Sequence, residues 1–367
     1  MTTSGARHDR VRSSEYQLWA KTRARTRFDL AVSGIVNFPL ADLPVRPEDL
    51  ELSGPSLYGY APLQEALARK CGVPAECVVH ATGTSMANHL VMAALLDPGD
   101  EVLIESPAYE PMVATARYLR ADVKRFARRA EDNFAVRPSE VERNLSLRTR
   151  LVVLTNLHNP SSAHTDEDTL RQIGLMARAV GARVLVDEVY LDALFEHAPP
   201  TAFHLGEDFI VTSSLTKVYG LSGLRCGWIL AEQALAQKLW RLNDLFGVIP
   251  AHPAERLSVA ALRNLDTIAA RSRTLLETNG QLLTSFLRTR DDLEYFEHRS
   301  GTVSFPRFKV GDVDDLGRLL VEKFETSVVP GRFFGMPSHM RIGISCDTEM
   351  LRGGLERLGE ALDDVKR

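Results

Sequence analysis

The chain has 367 residues, which at roughly 150 per domain predicts about two domains. With 44% hydrophobic and 25% charged residues and a net charge of −4, it has an ordinary globular composition and no bulk attraction for nucleic acid or an anionic membrane surface. Four scattered cysteines, no apolar run of about 20 residues and a polar, Arg-rich N-terminus argue against zinc, disulfide, transmembrane and secretory readings, so a cytoplasmic protein is expected.

Residues 1–30 are polar, with a short helix expected around Glu15–Thr26 and no core of its own. Pro44–Pro55 reads as a connection and Leu63–Lys70 as a helix. The apolar run Leu90–Leu96 ends at Asp97-Pro98-Gly99-Asp100, a turn that introduces a strand over Glu101–Glu105. Leu151–Thr155 is a short β-branched run before the turn Asn159-Pro160-Ser161-Ser162. Thr165 is the expected N-cap of the next helix, with Asp166, Glu167 and Asp168 in its first turn. Leu170, Ile173, Ala177 and Val180 then repeat at helical spacing up to Gly181. Arg183–Val186 and Phe209–Thr212 follow as strands. This rhythm predicts an α/β fold: a large domain with a mostly parallel sheet flanked by helices. From about Arg256 long helices dominate, with strand-like Thr302–Lys309 and Met340–Ser345, which predicts a smaller α+β domain. The expected division is 46–255 for the large domain and 1–45 with 256–367 for the small one.

Ligands of an open parallel sheet bind beyond the carboxyl ends of its strands. Several such ends carry polar residues: Asn159 after Leu151–Thr155, Asp187 and Tyr190 after Val184–Val186, Ser214 and Lys217 after Phe209–Thr212, and Gly83-Thr84-Ser85 before a helix. Each alone is an ordinary cap or turn; together they point to one site. Only 8 of the 44 Lys and Arg residues are lysines, so Lys217 is not a default surface cation. Arginine cannot replace lysine where an amine must form a Schiff base.

The run Ser214-x-x-Lys217-x-x-Gly220-Leu221-x-Gly223-x-Arg225-x-Gly227, with Asp187-Glu188-x-Tyr190, Asn159-Pro160 and Arg341-Ile342-Gly343-Ile344-Ser345, resembles class I/II aminotransferases of the aspartate aminotransferase superfamily. That resemblance implies pyridoxal 5′-phosphate (PLP), a Schiff base on Lys217, and Asp187 paired with the pyridine nitrogen. It implies Asn159 and Tyr190 on the ring's 3′-oxygen and Tyr109 stacked on its face. Gly83, Thr84, Ser85, Ser214 and Arg225 would hold the phosphate, joined by Tyr58 from the partner subunit of a homodimer. Arg341 would clamp the substrate α-carboxylate, with Gly34 beside the substrate. The family's Asn-Pro-Thr-Gly turn reads Asn159-Pro160-Ser161-Ser162 here, and its glycine before Pro62 is Ala61.

Transamination between an amino acid and a 2-oxo acid is the implied reaction. A C–S lyase, a decarboxylase and a cyclase are the alternatives, because the protein chooses which Cα bond the cofactor activates. Asn243–Pro253 contains no Lys or Arg to receive a side-chain carboxylate, so a neutral or aromatic donor is expected. No metal site is expected: His80 and His89 read as structural, while His158 and His252 are candidates to lie near the substrate.

Overall fold

The structure is a computed structural model that describes residues 12–297 and 300–366. The N-terminal part contains α1 (Glu15–Thr22), β1 (Phe28–Asp29) and α2 (Ala61–Cys71). The central part runs β2 (Val78–Thr82), α3 (Gly83–Leu95), β3 (Glu101–Ser106), α4 (Glu110–Tyr118), β4 (Asp122–Ala127), α5 (Pro138–Asn144), β5 (Thr149–Thr155), α6 (Glu167–Ala179), β6 (Arg183–Asp187), β7 (Phe209–Ser214) and β8 (Cys226–Leu230). Then come α7 (Gln233–Asn243), α8 (His252–Arg263), α9 (Leu265–Arg288), β9 (Leu293–Glu294), β10 (Val303–Ser304) and β11 (Arg307–Phe308). The chain closes with α10 (Val313–Phe324), β12 (Thr326–Ser327), β13 (Val329–Pro330), β14 (Met340–Gly343) and α11 (Thr348–Val365).

A seven-stranded sheet in the order β2-β8-β7-β6-β5-β3-β4 forms the centre. Every neighbouring pair is parallel except those made by β8, which runs against both β2 and β7. Alternate residues of the inner strands feed two cores. Val152, Leu154, Val184, Val186 and Val211 enter the one packed by α2, α6 and α8, whereas Leu151, Val153, Leu185 and Ile210 enter the one packed by α3, α4 and α7. With both faces buried, these strands read as unbroken apolar runs rather than alternating ones. The fold is the expected α/β arrangement. β1 pairs with β12, so the N-terminal segment lies against the C-terminal part.

Two local expectations are corrected. Asp166, not Thr165, caps α6: its Oδ1 accepts from Thr169 N at 2.7 Å. Thr165 is buried instead, its N–H donating to Asn156 Oδ1 at 3.0 Å. The strand expected over Thr302–Lys309 is two short strands on different partners, β10 on β14 and β11 on β9. Pro306 lies between them and has no N–H to continue a ladder.

Candidate active site

Because β8 runs against its neighbours, its start lies at the same sheet edge as the ends of the parallel strands. In spatial order that edge presents Thr82-Gly83-Thr84 after β2, Arg225 before β8, Ser214 ending β7, Asp187 ending β6, Asn159 after β5, and Tyr109 after β3. The sheet order therefore brings together residues far apart in sequence. Gly83, Thr84 and Ser85 are the first turn of α3 rather than a loop before it.

At the β2/β8 end the backbone is crowded around an arginine. A Cβ on Gly83 would come within 2.3 Å of Arg225 Nη2, and one on Gly227 within 2.6 Å of Gly83 Cα. Among the described residues the Arg225 guanidinium is held by two 3.4 Å contacts, to the carbonyls of Thr82 and Ser222. Among the described residues the buried Thr84 Oγ1 has no hydrogen-bond partner, and no side chain caps α3. A helix N-terminus with free N–H groups, a near-free guanidinium and an orphaned hydroxyl match a phosphate dianion. The residues present fit a phosphorylated cofactor.

Asp187 is buried, its Oδ2 accepting from Asn88 Nδ2 at 2.8 Å and its Oδ1 from Val189 N at 3.0 Å. Thr212 Oγ1 fixes the Asn88 amide through its oxygen at 2.6 Å. Burial pushes the Asp187 carboxyl up to about 6, so it is poised to take a cationic partner. Asn88 lies four residues after Thr84, on the same face of α3.

Lys217 Nζ donates to Ser33 Oγ at 3.3 Å, and Tyr190 donates to the same oxygen at 3.0 Å. Burial lowers the Lys217 pKa from the usual lysine range and raises that of Tyr190. Gly34 lets the Ser33 segment run close: a Cβ there would stand 3.5 Å from Lys217 Cδ, and Ile35 N donates to Lys217 O at 2.8 Å.

Arg341, on β14, is almost fully buried. Its Nη1 donates to Asn159 Oδ1 at 3.0 Å and its Nη2 to Tyr16 Oη at 3.0 Å and Ala31 O at 3.1 Å, while Nε has no partner. Helix α1 covers this corner. Besides Tyr16 it supplies Gln17, whose Nε2 donates to Tyr109 Oη at 2.6 Å, and the Tyr16 ring meets Tyr109 edge-on with centroids 5.6 Å apart. The Asn159 turn is held from behind by a buried pair. Glu105 Oε1 accepts from the backbone and hydroxyl of Thr155, and Arg128 closes on Glu105 Oε2 at 2.7 Å. Thr155 Oγ1 in turn accepts from Asn159 N at 3.1 Å.

Lys217, Asp187, Tyr190, Asn159, Tyr109, Ser214, Arg225 and the Gly83-Thr84-Ser85 turn thus share one edge, which Arg341 and Gly34 reach from β14 and the N-terminal segment. Tyr58 does not join them within the chain. It is 55% exposed, its hydroxyl donating to Asp244 Oδ2 at 3.1 Å. His158 bonds Ser161 and Pro107 O, and His252 bonds Ser56, so both have structural partners. Sequence reading missed Asn88, Ser33, Tyr16 and the Glu105–Arg128 pair. A signal existed for Asn88, a polar residue at a core position of a mostly apolar helix. No local pattern marks the others. Among the described residues no cluster of three or more His, Cys, Asp and Glu could hold a metal, and no helix is long and apolar enough to cross a membrane.

Residues 51–358 match the family model described as aminotransferase class I and II. Capreomycidine synthase of Streptomyces vinaceus is 31% identical over 359 residues, covering 94% of this chain and 92% of that protein. Arginine–pyruvate transaminase of Pseudomonas aeruginosa is 34% identical over 300 residues, 78% of this chain and 75% of that one. A PLP-dependent aminotransferase from Streptococcus suis superposes with a TM-score of 0.90 at 24% identity, covering 96% of this chain and 97% of that one. The chain therefore belongs to the class I and II aminotransferase family, and its cofactor is pyridoxal 5′-phosphate.

Proposed function

We propose that the protein transfers an amino group from a neutral or aromatic amino acid to a 2-oxo acid, with Lys217 as both cofactor anchor and proton carrier. The observation that carries this reading is Lys217 enclosed one strand end away from buried Asp187, with Arg341, whose Nε has no partner among the described residues, nearby. Bound PLP supplies an electron sink for the electrons left at Cα. Asp187, held by Asn88, would keep the ring nitrogen protonated. Asn159 and Tyr190 would address the ring's 3′-oxygen, and Tyr109 would cover its face. Thr84, Ser85, Ser214 and Arg225 would hold the phosphate. Arg341 receives the substrate carboxylate with its free Nε, and Gly34 leaves room for the substrate. The aromatic rings of Tyr16, Tyr109 and Phe334 around Arg341 favour an apolar or aromatic side chain over an acidic one.

A second reading is a PLP reaction that ends in elimination, decarboxylation or ring closure, favoured by the similarity to a protein named capreomycidine synthase rather than transaminase. Borohydride reduction of the holoenzyme and peptide mapping should label Lys217 alone. Amino-acid half-reactions should yield pyridoxamine phosphate and a 2-oxo acid. A label on another lysine overturns the site, and amino acid consumed without pyridoxamine phosphate selects the second reading.

A cytoplasmic homodimer is the proposed assembly. Leu52, Leu57, Tyr58, Leu245, Val248 and Ile249 expose apolar surface around the Tyr58–Asp244 contact, and a second copy covering it would carry Tyr58 toward the other site. The β1–β12 pairing supports the division into a large part, 46–255, and a small part made of 1–45 and 256–367.

A further inference from the structure

Ser33 sits where two titratable groups of the site, Lys217 and Tyr190, meet. Its Oγ accepts from Tyr190 at 3.0 Å and from Lys217 Nζ at 3.3 Å. The segment that carries it is fixed at several points. Ala31 O accepts from Arg341, Ile35 N donates to Lys217 O, and Val36 N donates to Ser345 O at 3.0 Å. Ser33 itself is 7% exposed, so its hydroxyl is held in place and shielded from bulk water.

A proton carrier has to exist in two forms, an amine that takes a proton and an ammonium that gives it up. A carbonyl or carboxylate can partner only the ammonium, because it has no proton to donate. A serine hydroxyl serves both: its oxygen accepts from the ammonium, and its O–H can turn to donate to the neutral amine. Charged and titratable groups acting on Lys217 include Tyr16, Arg341, Arg225 and Asp187, but among the described residues Ser33 is the side chain in hydrogen-bond contact with Nζ.

We infer that Ser33 is a catalytic residue, a two-way hydrogen-bond partner that holds the released Lys217 amine while it moves the substrate's proton. The step is a simple shift. The Cα–H bond breaks and the proton goes to Nζ, while the electron pair is left to the electron sink that bound PLP would supply. Nζ would then give the proton up to the carbon on the other side of the substrate nitrogen. Ser33 keeps its own proton throughout. This inference rests on the reading of Lys217 as the proton carrier.

The test is a double-mutant cycle on the holoenzyme, reading loss of a Cα-deuterium label from substrate in single turnovers. Ser33→Ala should retain full cofactor content and near-normal KM, yet slow label loss about 10- to 100-fold, the size of one hydrogen bond to a charged partner. Lys217→Ala should be slower by orders of magnitude and be rescued in part by added ethylamine. In the Lys217→Ala background without added amine, Ser33→Ala should change the residual rate less than twofold, because the bond it would remove no longer exists. A Ser33→Ala rate within twofold of wild type overturns the inference. So does the same 10- to 100-fold loss in that amine-free background, which would place Ser33 on the substrate or the fold instead. A Lys217→Ala rate equal to wild type refutes the underlying role of Lys217, and the inference falls with it.

Discussion

Asp187→Asn should make the apoprotein more stable while nearly abolishing the chemistry. In the cofactor-free chain burial moves this carboxyl from 3.8 to about 6, which at 1.36 kcal/mol per pH unit is a cost of roughly 3 kcal/mol for keeping it ionised. Because the folded value is raised, the penalty is absent below the unfolded value. It grows as pH rises between the two and is complete above about 6. Asparagine does not titrate. It retains an oxygen to accept from Asn88 and loses the bond to Val189 N, an offset that does not change with pH. The stability difference between variant and wild-type apoprotein should therefore shift toward the variant by roughly 2 to 2.5 kcal/mol from pH 4 to pH 7. Urea denaturation at fixed protein concentration measures it, since assembly makes midpoints concentration-dependent. With PLP bound the sign reverses, because the variant lacks the anion opposite the ring nitrogen. The loss of a buried charge partner, about 3–5 kcal/mol, should slow Cα deprotonation by about 10²- to 10⁴-fold. A stability difference that stays flat across that pH range, or deprotonation within tenfold of wild type, refutes the reasoning.

Arg341→Lys should lower kcat/KM for every amino acid by a similar factor, about 10- to 100-fold, and spare simple amines, since an ammonium has no planar fork. A loss confined to one side-chain class would move Arg341 to the side-chain pocket. Arg128→Met strands the buried Glu105 carboxylate and should cost about 3–5 kcal/mol in urea denaturation, with Glu105→Gln in the same chain recovering part of it. A single-variant cost below about 1 kcal/mol contradicts that account of the pair. Tyr58→Ala and Lys217→Ala homodimers should each be nearly inactive at limiting PLP. After random subunit exchange they should regain about a quarter of wild-type activity, because half the dimers are mixed and each of those rebuilds one site of two. Exchange confirmed by mass spectrometry without recovery places Tyr58 in its own subunit's chemistry or outside the site.

The sequence determined most of what depends on neighbours along the chain. Apolar runs of strand length, the turn at Asp97–Asp100 and the helical spacing of Leu170, Ile173 and Ala177 each encode an element within about a dozen residues, and those elements are present. The run from Ser214 to Gly227 identified the chemistry because its residues form one strand end, one loop and one strand start. Local rules lost precision where two residues compete for a role. Thr165 and Asp166 both suit an N-cap, and the demand of Asn156 for a donor decided between them. Only the tertiary structure decided what comes from afar. The reversal of β8 sets Arg225 against Gly83, α3 brings Asn88 to Asp187, and β14 carries Arg341 to Asn159. The polar N-terminal helix, with no core of its own, gains its place from contacts with residues about 90 and 320 positions away, Tyr109 and Arg341. Such contacts leave no periodicity in the sequence, because each depends on the packing of elements whose order in space differs from their order in the chain.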